Sequence, residues 1–410
     1  MPDAPHIRPG GSGVANVQST RFWLVISLSG AFFLLRTVWM MMGILLVALA
    51  ATFETSLAAA GQLAAAIGIS WGITAPLVGP LSDTYGRRRV ALTGVALAAV
   101  GTLGSVIAWN YWALLACRLI TGFGGAMIPP NSMATIADHF PPADRGRPIG
   151  ILLAASFFAL VIGTPTVAFL GETGGWRLPF AVIGGLFVLV WVLQWYTFQE
   201  GQPTTRPSGF AVHFKEVGRR PSIWFVLLAN VLYQTAAIAM FTYLVAFLVQ
   251  TYAMSQGSTV LPLALVGSGA MFGSLLGGYL ADRRQRLRQA ALALVLGGGC
   301  VSLALTAALS PWAATLWCCA GALLLTIFEP VTWVLTAELA GESRATANGL
   351  LATSNQLGII GGASAGGAFL ALGGFPLVGF FCLAAATAAA VVVIGIGMGL
   401  KTRSTQAVRL

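Results

Sequence analysis

Gly79-Pro-Leu-Ser-Asp83-Thr-Tyr-Gly86-Arg87-Arg88-Arg89 lies between two long apolar runs, and a shorter version of it returns 199 residues later as Gly278-Tyr-Leu-Ala-Asp282-Arg283. Each part of the stretch has a physical use. Asp83 ends a helix and can accept backbone N–H groups at the start of a neighbouring helix, where the dipole favours a carboxylate. Gly79 removes a side chain one turn earlier, so the neighbour can approach. Gly86 permits a tight turn. Arg87, Arg88 and Arg89 suit anionic lipid or acidic partners. Together these residues would form a gate, latched in one state and released in another. The plainer alternative is a capping aspartate beside arginines that only mark the cytoplasmic face. Recurrence at Gly278, Asp282 and Arg283 favours the gate.

Outward from this stretch the chain is apolar over lengths that cross a bilayer, about 20 residues each. Twelve such runs can be read, at 22–50, 59–81, 90–109, 112–137, 149–170, 178–198, 222–250, 259–280, 289–309, 312–337, 348–371 and 377–400. Of the 410 residues, 57% are hydrophobic and 8% charged, against roughly 25% charged in soluble domains. So few charges cannot clothe a water-facing surface, and lipid must surround most of the molecule. Glycine and alanine are frequent in the runs, as close packing of membrane helices requires. The runs are too long for the alternating strands, about ten residues each, of outer-membrane barrels. The expected fold is an all-α membrane protein with twelve transmembrane helices in two six-helix pseudo-symmetric bundles. Cys117, Cys300, Cys318, Cys319 and Cys382 fall inside apolar runs with no metal-ligand spacing and no disulfide framework. No metal or cofactor is expected. Residues 1–20 are polar and lack the apolar core of a signal peptide, so the first helix is expected to be retained.

Charge fixes an expected orientation. Of the 22 lysines and arginines, only Arg177 falls on one face, and only Arg36 and Arg118 fall within spans. The rest share the other face, which the positive-inside rule makes cytoplasmic, with both termini. The net charge of +10 then needs no nucleic-acid partner. The shift of 199 also relates Arg21 to Arg220, Gly150 to Gly349 and Gly163 to Gly362, with Asp138 and Glu338 matched to within one residue. Such parallel repeats are one known transporter architecture. The expected organisation is a cytoplasmic tail at 1–20, a six-helix bundle at 21–198, a cytoplasmic linker at 199–221, a second bundle at 222–400 and a cytoplasmic tail at 401–410. The expected location is a bacterial-type inner membrane.

Residues 79–89 resemble the signature loop between helices two and three of the major facilitator superfamily, departing from it at Thr84, where a basic residue is usual. Arg118-Leu-Ile-Thr-Gly122 resembles that family's helix-four motif, and Asp144-Arg145-Gly146 its loop before helix five. Gly175-Trp176-Arg177 through Phe180 is similar to the start of helix six in drug:proton antiporter-like, twelve-helix members. The resemblance covers about residues 20 to 400. The family's antiporter motif in helix five is degraded here, as Ala159, Gly163, Thr164 and Pro165. The second half keeps Gly358, Gly362 and Gly366 on one helix face, which favours close packing across the boundary between halves. Ordinary small-residue packing is the alternative.

Three ionisable residues lie well inside spans: Arg36, Arg118 and Glu329. Each costs roughly 2.5–3.5 kcal/mol at a helix centre, so each is a functional candidate. The resemblance implies that helices one, four, seven and ten line a central cavity, and that the arginine at the position of Arg118 takes part in proton coupling. Glu329 is the one acid able to gain and lose a proton there, and Arg36 can hold an anion. Alternatively, Arg118 bonds to backbone carbonyls, Glu329 pairs permanently with an arginine, and Arg36 snorkels. Trp39, Tyr233, Phe241, Tyr243, Phe328 and Trp333 would give an organic substrate an aromatic wall. Pro76, Pro80, Pro129, Pro130, Pro165, Pro262 and Pro330 interrupt helices, which membranes tolerate where protein or cavity water satisfies the freed groups.

The function expected from all this is secondary active transport by alternating access, with proton-coupled export of a small organic compound by a monomer. The alternatives are uptake or exchange of an organic anion, and a non-transporting membrane sensor. An enzyme is not expected: His6, His139 and His213 lie outside the spans, and no nucleophile–base pair or metal cluster accompanies them.

Overall fold

Twelve helices cross the bundle among the described residues, and their boundaries follow from local chemistry. A computed structural model describes residues 11–55, 57–198, 215–254, 257–307, 310–341 and 343–407. The first helix, α1, runs Gly11–Thr52, followed by α2 (Leu57–Tyr85), α3 (Arg87–Val106) and α4 (Tyr111–His139). The α2–α3 turn is held by Gly86, whose φ of 93° favours glycine. Asn110 caps α4, its side chain accepting from the Ala113 N–H at 2.8 Å. The fifth helix, α5, is Gly146–Phe158, relaxed through one π turn at Ala159–Gly163, and resumed as Thr164–Gly174. The π turn lies immediately ahead of Pro165, which has no N–H to give and would clash with the carbonyl four residues back. Helix α6 (Arg177–Thr197) closes the first half.

The second half repeats the plan. Helices α7 (Pro221–Tyr252), α8 (Val260–Ala281) and α9 (Arg286–Thr306) precede α10, which has two parts, Pro311–Thr326 and Phe328–Ala340. Ser310 caps α10, accepting from the Ala313 N–H. The break at Ile327 faces Pro330, which would press its ring against the carbonyl of Thr326. The last helix of the trace is Arg344–Ala407, whose 64 residues would reach about 96 Å if straight. It is two membrane helices, α11 and α12, broken where Gly373 and Gly374 leave helical geometry and Gly374 takes a φ of 70°. Length and hydropathy mark eleven helical stretches as able to span a membrane, the last of them containing this break. The protein is therefore an all-α, multi-pass membrane protein with twelve crossings.

Some expected boundaries move. Helix α1 starts at Gly11, inside the expected N-terminal tail, and the last helix continues to Ala407, inside the expected C-terminal one. Residues 199–214 of the expected linker, with 1–10 and 408–410, lie outside the described residues.

Glycine sets how the halves meet. A Cβ on Gly278 of α8 would stand 2.5 Å from the Gly146 oxygen and 2.7 Å from the Gly150 Cα of α5. The matching contact joins α2 and α11, where a Cβ on Gly349 would stand 3.0 Å from the Ala75 oxygen and 3.7 Å from the Gly79 Cα. The four helices therefore touch backbone to backbone at the arginine-rich end. The other glycine stripes pack inside a half, which corrects the expected boundary contact. Gly163 faces Thr37 of α1, while Gly358, Gly362 and Gly366 face Gln234, Thr235 and Tyr243 of α7. Pro165 sits in the first turn after the π turn.

Candidate functional site

A central pocket lies between the two halves, with a volume of about 1000 Å³ including the part open to solvent. Helices α1, α2, α4 and α5 supply one side, and α7, α10 and α11 the other. Its ionisable lining residues are Arg36, Glu329 and Tyr233. The Glu329 carboxylate, 9% exposed, accepts a hydrogen bond from the Tyr233 hydroxyl at 3.3 Å. It begins the lower piece of α10, in the first turn after the Ile327 break, where a helix dipole favours a negative charge. Arg36 stands opposite, on α1. Its charge is felt at Glu329, yet no ion pair joins them among the described residues. The guanidinium instead lies 5.5 Å from the Trp39 ring centre, and its buried Nε has no hydrogen-bond partner among the described residues.

Aromatic residues form much of the wall. Trp39 stacks on Trp71 with ring centres 6.3 Å apart, and Phe157 of α5 stacks on Phe241 of α7 at 6.4 Å, joining the halves. Trp333 also lines the pocket. Phe328 does not: it is buried behind Tyr233, edge to face at 5.5 Å. Tyr243 does not either. Its hydroxyl donates to the Ala363 carbonyl at 2.5 Å and its ring fills the space left by Gly366, so it belongs to the α7–α11 packing. Sequence reading passed over Trp71, Phe157, Gln234, Asn355 and Gln356, which also line the pocket. The three amides were visible as polar residues within apolar runs.

Arg118 is placed away from the pocket. It is fully buried, donates to the Gly101 carbonyl at 3.0 Å and to Ser105 of α3, and lies 4.7 Å from the Phe180 ring centre of α6. This is the backbone-bonding alternative, and it removes Arg118 from the expected cavity lining. Water around this guanidinium is replaced by a carbonyl and a hydroxyl at one terminal nitrogen and by the Phe180 ring face, while Nε and the other terminal nitrogen have no hydrogen-bond partner among the described residues.

The gate residues gather at the arginine-rich end. Asp282 of α8 accepts the Gly146 N–H at 2.6 Å and the Arg147 N–H at 3.3 Å, at the start of α5 in the opposite half. Burial pushes its carboxyl above the usual 3.8, against the lowering effect of those two N–H groups. Arg87 bonds Asp138 at 2.9 Å, and Asp138 also binds Arg344 of α11 at 2.8 Å, across the halves. In the second half Arg286 pairs with Glu338. Arg283 was the expected gate arginine there, but its guanidinium lies over the Tyr279 ring at 4.5 Å. Arg286 is the true counterpart of Arg87, since the shift of 199 carries 87 to 286. Arg88 bonds the Trp195 carbonyl at 3.1 Å, within its own half. The side chain of Asp83 lies outside the described residues. No group of three or more His, Cys, Asp or Glu suited to a metal occurs among the described residues.

Two six-helix halves, a pocket between them and clasps at one end define a membrane carrier fold. The profile of the Major Facilitator Superfamily matches residues 28–363, and the chain belongs to that family. It is 30% identical over 255 residues to the inner membrane transport protein YdhP of Escherichia coli, a match over 62% of this chain and 64% of the relative's length. It is 26% identical over 216 residues to a probable sugar efflux transporter of Helicobacter pylori, over 53% of this chain and 54% of that one. Among solved structures, the Escherichia coli fucose:proton symporter FucP superposes with a TM-score of 0.77 at 15% identity, over 91% of this chain and 98% of its own. That likeness concerns the fold.

Proposed function

We propose that the protein is a secondary transporter of the inner membrane that exports a small organic compound by alternating access, with Glu329 as its proton-carrying group. The observation that carries this reading is the pocket itself: a buried acid and a half-buried arginine face each other on opposite halves, while Asp282 and Asp138 clasp the arginine-rich end shut. Carriers expose a central site to each face in turn. Rocking apart at the α5–α8 and α2–α11 contacts would open the pocket to the arginine-rich face, which the charge distribution makes cytoplasmic. Glu329 suits proton coupling because it titrates, whereas arginine stays charged. Its hydrogen-bond donor among the described residues, Tyr233, is neutral, so protonation breaks no salt bridge there. Export is supported by the relative named as an efflux transporter. The protein acts as a monomer, because each chain holds a whole pocket.

Purified protein in proteoliposomes, loaded with a library of small organic solutes and given an imposed pH gradient, tests this. At least one solute is expected to move with accompanying proton flux. The Glu329→Gln variant is expected to keep solute exchange and lose gradient-driven accumulation. No solute movement in the wild type would remove the transport reading, and unchanged accumulation in the variant would remove Glu329 from coupling.

A further inference from the structure

Two buried hydrogen-bond donors on residues that line the pocket have no acceptor among the described residues: Nε of Arg36 and the indole Nε1 of Trp71. Buried donors are nearly always satisfied, and leaving one unmet costs free energy. The two belong to one cluster, for the Arg36 guanidinium faces the Trp39 ring and that ring stacks on Trp71 with planes 19° apart. Acceptors are scarce on this side. Glu329 is on the far wall and is already bonded to Tyr233. The amides Gln234, Asn355 and Gln356 belong to α7 and α11 in the other half.

We infer that the compound carried is a flat organic anion, a carboxylate or sulfonate on an aromatic body. Its anionic oxygens take the Arg36 and Trp71 donors, and its rings lie against the Trp39–Trp71 stack. Arginine binds such planar anions through paired N–H groups. The amides of α7 and α11 would meet polar substituents at the other end of the molecule. An anion is also driven outward by the inside-negative potential of a cell membrane, so this class suits export. The inference rests on the transport reading above and narrows it.

Equilibrium dialysis of the full-length protein in lipid nanodiscs tests it, with three probes of one shape: 2-naphthoate, 2-naphthylmethylammonium and 2-naphthamide. Naphthoate is expected to bind at least tenfold more tightly than either of the others. The Arg36→Gln variant is expected to lose at least tenfold in naphthoate affinity. Arg36→Lys, which keeps the charge without the planar fork, and Trp71→Phe, which keeps a ring without the N–H, are each expected to weaken it by several fold. These two milder variants serve if Arg36→Gln fails to fold, as judged by thermal melting. Absence of naphthoate binding, a preference for the ammonium probe, or wild-type affinity in the folded Arg36 and Trp71 variants would overturn the inference. If the solute library still moves in proteoliposomes while naphthoate fails, only the substrate class falls. If no solute moves, the transport reading falls with it.

Discussion

A single hydrogen atom's worth of side chain decides how the halves close. At Gly278 any Cβ would meet the Gly146 oxygen at 2.5 Å, and backbone cannot yield as a flexible side chain can. Overpacking costs about 1–3 kcal/mol, so Gly278→Val is expected to shift the closed arrangement toward the open one by roughly 5- to 150-fold. Distances between spin labels on Thr84 and Arg284 would report it, and unchanged distances would deny the contact. Asp282 next to it gives a pH dependence. Its carboxyl is raised above 3.8 in the closed arrangement, chiefly by burial. The closed form therefore binds the proton more readily than an open form with a solvated carboxyl. By linkage, acidification from the raised value down through about 3.8 favours closure, and the effect is absent well above that window. Asp282→Asn keeps an acceptor oxygen without the buried charge, and is expected to flatten the pH response of the same label distances. Arg36 and Glu329 were legible in sequence because a charge in a span is costly enough to demand a reason. Gln234, Asn355 and Gln356 were less so, since a neutral amide in a span is cheaper and commoner. Arg283 follows Asp282 directly and so stands out in the sequence, whereas Arg286 is marked as the counterpart of Arg87 only by the repeat shift.

At the scale of the element, the helices are well defined and their rotation is not. Length and hydropathy gave the number of crossings, because a bilayer has a fixed thickness and apolar runs must match it. A soluble helix also announces which side faces inward, through a polar stripe on the other side. A helix in lipid is apolar all round, so sequence cannot say whether an aromatic residue faces pocket, neighbour or lipid. Tyr243 and Phe328 were assigned to the pocket for that reason, and both turned out to pack between helices. Breaks are easier to read than rotation. Gly374, with φ 70° and ψ −165°, occupies a region that glycine alone enters readily. Gly374→Ala is expected to cost about 1–3 kcal/mol and lower the melting temperature. Gly373→Ala, whose φ is −155°, should cost less. Equal melting of the two variants would show that the α11–α12 corner can be turned another way.

For the whole molecule, the repeat made the second half predictable from the first, and it is only approximately obeyed. Arg87 with Asp138 and Arg286 with Glu338 are the matched pairs, yet of these two acids only Asp138 also binds an arginine of the opposite half among the described residues. The arginine distribution sets the expected orientation, which labelling can test. In intact cells, a membrane-impermeant thiol reagent is expected to reach Trp109→Cys, at an exposed position on the arginine-poor face, and to miss Thr84→Cys on the other. The reverse pattern would invert the molecule. The doubly bonded Asp138 has one more consequence. If the halves part as proposed, this carboxylate would keep Arg87 as its partner, while Arg344 would be freed toward the phosphates of the surrounding leaflet. Headgroup phosphates would then compete for one jaw of the clasp, so bilayers rich in anionic phospholipid are expected to receive the freed guanidinium and lengthen the open dwell relative to zwitterionic ones.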